Sequence, residues 1–289
     1  MKQTKLLITG ATGSVGTQLI KKLINSDISF RALVRTKDQG DLMRELPQAE
    51  VAVGDLSDTA SLMEALKGIE KAFLFTDSEE YSEELQLNFV DAAHRAGVRH
   101  IVKVSQLAAD SASTVHSLRF HALVEYRIVE LGLDYTFLRC NMFMQGLIFF
   151  DHFIKYEGRF FGVIGDAAVS VVDIRDIAEI ALRVLTEPGH ENKTYNITGG
   201  EALSHYQMAE VLTRVLGKEI SYINLSPEQM RGALTVAGFP EWQTVLLIEN
   251  FVHYCRVEAA DVYDTITVIT GKPATSYEKF VIDYKMFFN

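Results

Sequence analysis

The chain has little cysteine, no excess of basic charge and no long apolar opening segment. Its 289 residues include only Cys140 and Cys255. They form no CxxC and no metal-ligand cluster, so neither a disulfide-stapled scaffold nor a cysteine-based metal centre is expected, and no metal site is assigned. Two free thiols suit a reducing compartment. Lys and Arg total 28 against 38 Asp and Glu, a formal net charge of −10. That excludes an extended basic face wrapping nucleic acid, while leaving room for a local basic pocket. Met1 to Lys5 runs into only three apolar residues, Leu6-Leu7-Ile8. Three residues are too few for a signal-peptide core or a membrane span, so a cytoplasmic protein with no membrane partner is the expectation. Repeats, low-complexity tracts and flexible linkers are also missing.

What is present is ordinary globular composition, 48% hydrophobic and 23% charged, in a chain long enough to bury a core without staples. Short apolar runs alternate with helix-period segments, the pattern of a parallel sheet with crossover helices. Strands are expected at Lys5–Thr9, Ser29–Arg35, Val51–Asp55, Ala72–Thr76, Ile101–Ser105 and Tyr135–Cys140. Helices are expected at about Ser14–Asn25, Thr59–Lys67 (capped by Asp58), Glu83–Arg95 (closed by Gly97) and Ser117–Leu131. The second half reads less regularly. Helices are expected at Asp176–Leu185, Tyr206–Leu216 and Trp242–Glu258, with a short strand at Tyr195–Thr198. Capping boxes at Ser226-Pro227-Glu228-Gln229 and Thr275-Ser276-Tyr277-Glu278 open two more. The fold class is therefore α/β, a Rossmann-type doubly wound parallel sheet with a smaller C-terminal α/β substrate domain. The expected division is 1–150 for the dinucleotide-binding part, with parts of 169–198 returning to it, and 151–289 for the substrate part. A ligand crevice between the halves is the expectation.

The strongest local signal is Gly10-Ala11-Thr12-Gly13-Ser14-Val15-Gly16, a GxxGxxG run between the first strand and the first helix. Gly10 allows the tight turn, Gly13 leaves the backbone open to a pyrophosphate, and Gly16 lets the helix lie close to the sheet. Backbone N–H groups at this helix start, from Thr12 to Gly16, then face the phosphates.

The motif Thr9-Gly10-Ala11-Thr12-Gly13 resembles that of the extended and atypical short-chain dehydrogenase/reductases. Further segments resemble the NmrA-like family within them, a branch that includes quinone and dye reductases. They are Ala32-Leu33-Val34-Arg35, Gly54-Asp55-Leu56, Tyr135-Thr136-Phe137-Leu138-Arg139, Asn192-Lys193-Thr194-Tyr195-Asn196 and Thr270-Gly271-Lys272-Pro273-Ala274-Thr275-Ser276. The resemblance covers nearly the whole chain.

The end of the second strand lies beside the adenosine ribose in such folds, where an acid favours NAD and an arginine accommodates a 2′-phosphate. Here the residue is Arg35, with Lys37 two positions on, so NADP(H) is expected over NAD(H). The resemblance implies that Asp55 and Leu56 contact adenine. Phe75, Thr76 and Ser105 end the next two strands and are expected along the nicotinamide side. Catalytic members of the wider superfamily carry Tyr-x-x-x-Lys on the helix after the fifth strand. In this chain the corresponding positions are His121 and Glu125. Sugar epimerisation and alcohol–ketone chemistry by the usual route need that tyrosine, so a nucleoside-diphosphate-sugar epimerase is the less favoured reading. Hydride transfer to a quinone-like or dye-like aromatic acceptor does not need it. The expected function is that of an NAD(P)H-dependent oxidoreductase, with a non-catalytic NADP-binding redox sensor as the alternative. His121 is the one catalytic candidate, a proton donor or else a structural partner of Glu125 one helical turn on. Asn141, Phe143 and Tyr81 are the candidates for substrate contact. Phe149, Phe150, Phe160, Phe161 and Trp242 read as core first, and Asp173 and Asp176 as structural. A monomer or homodimer is expected.

Overall fold

The computed structural model describes residues 4–76 and 80–289. In chain order the elements are β1 (Leu6–Ile8), α1 (Ser14–Asn25), β2 (Phe30–Val34), α2 (Lys37–Arg44), β3 (Ala49–Val53), α3 (Thr59–Ala65), β4 (Lys71–Leu74), α4 (Ser82–Ala96), β5 (His100–Gln106), α5 (His116–Glu130) and β6 (Asp134–Cys140). A 3-10 segment at Met144–Phe150 leads into α6 (Asp151–Glu157), β7 (Arg159–Gly162), β8 (Ala168–Val169), α7 (Ile174–Thr186), β9 (Lys193–Ile197) and β10 (Leu203–Ser204). The chain closes with α8 (His205–Leu216), β11 (Ser221–Asn224), α9 (Pro227–Val236), α10 (Glu241–Tyr254), α11 (Thr265–Thr270), α12 (Tyr277–Asp283) and α13 (Lys285–Phe288).

Seven strands form one sheet in the order β3-β2-β1-β4-β5-β6-β9. The pairs β1–β2, β2–β3, β1–β4 and β4–β5 are parallel. The order reverses between β1 and β4, and open α/β sheets bind ligands outside the strand ends at such a switch point. This is the doubly wound sheet expected from the sequence.

Contacts group the chain into two compact units. The first is Met1–Ala112, Leu118–Arg139 and Ile177–Tyr195; the second is Ser113–Ser117, Cys140–Asp176 and Asn196–Asn289. The chain thus leaves the first unit after Arg139, earlier than the expected 150, and the returning segment Ile177–Tyr195 lies within the expected 169–198. One core cluster in the first unit gathers Leu7, Leu62, Leu66, Phe89, Val90, Ile101, Val124 and Ile128, all essentially without solvent exposure. The second unit builds its own around Ile154, Phe160, Val169, Leu212, Tyr222, Tyr277 and Phe280.

Local signals explain most of the element ends. Asp58 accepts from the Ala60 N–H to cap α3, and Gly97 closes α4 in the left-handed region at φ 80°. The box at Ser226 is formed as read. The box expected at Thr275 is not: Ser276 caps α12, accepting from Lys279 N–H, while Thr275 donates its hydroxyl to Asp176. A stronger polar partner drew Thr275 away and moved the helix start by one residue. The helix α2 was not foreseen, because its only apolar residues are Leu42 and Met43; its signal is the box Thr36-Lys37-Asp38-Gln39, which is fully formed.

The first turn fixes the sheet to α1. Gly10 has φ +58°, and a Cβ on Gly16 would lie 2.0 Å from the Gly10 carbonyl oxygen. No rearrangement of a side chain relieves a clash with backbone. Gly16→Ala is therefore expected to lower the unfolding free energy by about 1–3 kcal/mol, measured as a shift of the denaturant midpoint at constant slope.

Candidate functional site

A cleft in the first unit is lined by Thr9 to Thr12, Leu33, Val34, Arg35, Gln39, Gly54 to Leu56, Phe75, Thr76 and Leu85. These are the carboxyl ends of β1, β2, β3 and β4 with the turns that follow them. Of the expected cofactor residues, Gly10, Thr12, Arg35, Asp55, Leu56, Phe75 and Thr76 all fall here.

The floor is the β1–α1 turn. Gly13 sits at the N-cap of α1 and offers no side-chain cap, and no acidic residue occupies the first turn. The free N–H groups and the positive end of the helix dipole therefore suit an anion. Thr12 and Ser14 are exposed. Val15 is fully buried, so only its backbone is available to a ligand. Thr9 ties the turn to β4: its hydroxyl accepts from Phe75 N–H at 2.9 Å and lies 2.9 Å from the Phe75 carbonyl and 3.1 Å from that of Phe73. Thr9 was not singled out as a positioning residue; a buried threonine closing a strand was the available signal.

Arg35 directly follows β2, exposed, with its backbone N–H donating to Gln39 Oε1 at 3.0 Å. The same oxygen accepts from Thr36 N–H at 3.3 Å. Gln39 thus fixes the backbone under the arginine, a role that the sequence reading missed along with α2. Across the cleft, Asp55 is held below the usual carboxylate range, first by accepting from the Ser57 hydroxyl and N–H and to a lesser degree by Arg35. It stays ionised and committed to its own turn. Arg35 at the end of β2, with no acid in its place, fits a ribose 2′-phosphate. The glycine turn with an uncapped helix start fits a pyrophosphate. The residues present thus match NADP(H).

At β5 the sequence expectation needs correcting. His121 and Glu125 do not pair with each other. His121 Nδ1 lies 2.7 Å from Nζ of Lys103, a fully buried lysine on β5. Glu125 is buried and is bound by Arg139 of β6, at 3.1 Å from Nε and 2.5 Å from Nη2. Ser105, an expected cofactor contact, is buried and donates to Glu125 Oε1 at 2.6 Å. The reason is charge: β5 is buried along its whole length, so Lys103 must find a partner, and Glu125 finds a stronger one in Arg139 than in a neutral imidazole. A lysine inside an otherwise buried strand was the readable signal.

Tyr81 stands exposed just before α4, without a side-chain capping bond; the loop residues 77–79 ahead of it lie outside the described residues. Asn141 is not open to a substrate. It is buried, its amide donating to Ser170 Oγ (2.8 Å) and the Ala259 carbonyl (2.9 Å) and accepting from Met142 N–H (2.8 Å). It pins the second unit together. Phe143 is only partly buried and bridges Val172 through its backbone. Phe149 is largely exposed, against its reading as core, while Phe150 meets Phe160 and Phe161. Asp173 is fully buried and held by Arg175, as a structural residue should be. Among the described residues no cluster of His, Cys, Asp and Glu could hold a metal ion, and no helix is long and apolar enough to cross a membrane.

Known proteins are similar to this chain over nearly its whole length. The NAD(P)H azoreductase of Xenophilus azovorans is 32% identical over 277 residues, 95% of this chain and 96% of its own length. Quinone oxidoreductase 2 of Escherichia coli is 30% identical over 278 residues, 96% and 97% of the two chains. The crystal structure of the Escherichia coli NADPH-dependent quinone oxidoreductase complexed with NADPH superposes with a TM-score of 0.89, covering 97% of this chain and 99% of that one, at 29% identity. Citrobacter sp. triphenylmethane reductase complexed with NADP(H) gives 0.85 at 25% identity, covering 97% and 99%. The model of the NmrA-like family matches residues 2–268. With its glycine turn between β1 and α1 and this match over most of its length, the chain belongs to the NmrA-like family.

Proposed function

We propose that the protein is an NADP(H)-dependent oxidoreductase that passes hydride to a quinone-like, azo or dye-like aromatic acceptor. The observation that carries this reading is the cleft itself. An uncapped helix start and the arginine that follows β2 meet on one side of the switch point, and no Tyr–Lys pair stands on α5. Support comes from the relatives, whose names are those of azo, quinone and triphenylmethane reductases and two of whose structures hold NADPH or NADP(H).

The cofactor, when bound, supplies the hydride. The chain's own residues bind and orient it. The N–H groups of the β1–α1 turn would hold the pyrophosphate, and Arg35 would take the 2′-phosphate through its guanidinium. Thr9 keeps Phe75 and the end of β4 in register with that turn. Gln86 donates to Thr76 Oγ1 at 2.8 Å and fixes the next residue. Positioning of this kind accounts for most of the rate where the acceptor is itself electrophilic.

Two measurements check the reading. Arg35→Ala is expected to weaken NADPH by about 10- to 100-fold, the loss of a charged hydrogen-bonding partner, with NADH affinity changed less than threefold. Equal losses for both cofactors would remove Arg35 from 2′-phosphate recognition. With wild-type protein and NADPH, a panel of quinones, azo dyes and triarylmethane dyes is expected to show loss of the reduced-nicotinamide absorbance. Tight cofactor binding without oxidation across the panel would make the protein a sensor rather than a reductase.

A further inference from the structure

The Lys103–His121 pair is unexplained by cofactor binding. A buried ammonium is costly unless paired with good geometry. Lys103 is placed with care: Nζ donates to the Val104 carbonyl at 3.0 Å, approaches His121 Nδ1 at 2.7 Å and lies 5.9 Å from the centre of the Phe120 ring. Phe120 also lies against the His121 ring, with centroids 4.0 Å apart. The other charges nearby are committed, Glu125 to Arg139 and Ser105.

An ammonium has no lone pair, so Nδ1 of His121 accepts and the ring proton sits on Nε2. Burial and, next, the Lys103 charge hold the imidazole well below its ordinary range, which keeps it neutral. As a whole residue His121 is nevertheless only partly buried. Among the described residues nothing bonds Nε2. The ring lies on α5, packed on β5, and β5 neighbours β4, whose end lines the cleft. A dinucleotide spanning the switch point spreads its second half over these strands.

We propose that Lys103 and His121 form a proton relay serving acceptors that become anionic on reduction. The inference rests on the reductase reading above. A quinone that receives hydride on oxygen gains an O–H bond and two electrons and becomes a hydroquinone monoanion. Its anionic oxygen takes the Nε2 proton of His121 while Nδ1 takes a proton from the Lys103 ammonium. After product leaves, one solvent proton returns to Nε2 and the Nδ1 proton returns to Lys103. The sum is NADPH, quinone and one proton giving NADP⁺ and hydroquinone. A cationic triarylmethane dye becomes neutral on accepting hydride and draws no proton from the relay. His121 is the catalytic residue here, and Lys103 a positioning residue acting through it.

The test uses full-length protein and two readouts. In the protein alone, nitrogen NMR of the histidine rings is expected to show His121 with Nε2 protonated and Nδ1 unprotonated. Lys103→Met, which replaces the buried charge by a side chain of similar length, is expected to mix the two tautomers. In turnover, His121→Ala and Lys103→Met are each expected to lower kcat for a benzoquinone by about 100-fold with KM for NADPH unchanged. Turnover of a cationic triarylmethane dye is expected to fall less than threefold. Added imidazole is expected to restore quinone turnover in His121→Ala. Quinone and dye rates falling together, unchanged quinone turnover in His121→Ala, or a ring protonated on Nδ1 would each overturn the relay. Wild-type protein that oxidises NADPH with neither acceptor would instead overturn the reductase reading.

Discussion

The approach of Gly16 to the Gly10 carbonyl is the constraint on which the cofactor side depends. With only hydrogen on Gly16, α1 comes down onto the turn and its first N–H groups face the cleft. Any side chain there would lift the helix and carry the anion site away from β2 and β4. Thr9 makes the same turn answerable to β4, so one short segment sets the spacing between the phosphates and the nicotinamide side. The seating of α1 on the turn thus depends on a single close contact.

Much of this was legible. Strand and helix alternation, the glycine spacing and the arginine at the end of β2 are local signals, and the structure places them as read. What was not legible depends on partners far apart in sequence. His121 and Glu125 look like a natural pair at one helical turn. Their actual partners, Lys103 and Arg139, come from β5 and β6 and can be recognised only when α5 lies on the sheet. Asn141 shows the same limit from the other side. An amide after a strand end suggests a ligand contact, until Ser170 and the Ala259 carbonyl fill its bonds. The helix α2 escaped because hydrophobic periodicity was the main guide and its surface is nearly all polar; its capping box carried the information instead.

The buried polar groups around β5 also separate two meanings of the missing Tyr–Lys pair. Loss of the tyrosine alone would leave a vacancy on α5 and a stranded lysine position. Here both places are filled by groups with their own partners, Glu125 clamped by Arg139 and Ser105, His121 bound to Lys103. On this face of α5, Glu125 and Nδ1 of His121 are paired with groups from the sheet, while Nε2 of His121 has no bond among the described residues. Such networks hold their geometry well because leaving one member unpaired in the interior is costly.

The turn after β2 has a consequence for substitution at position 35. The bonds that shape it come from Thr36, from the Gln39 side chain and from backbone N–H groups. Every residue except proline can supply the N–H that position 35 contributes. That backbone bond therefore places no demand on the side chain at 35. A substitution there, other than to proline, leaves the Gln39 side chain its two backbone donors, positions 35 and 36.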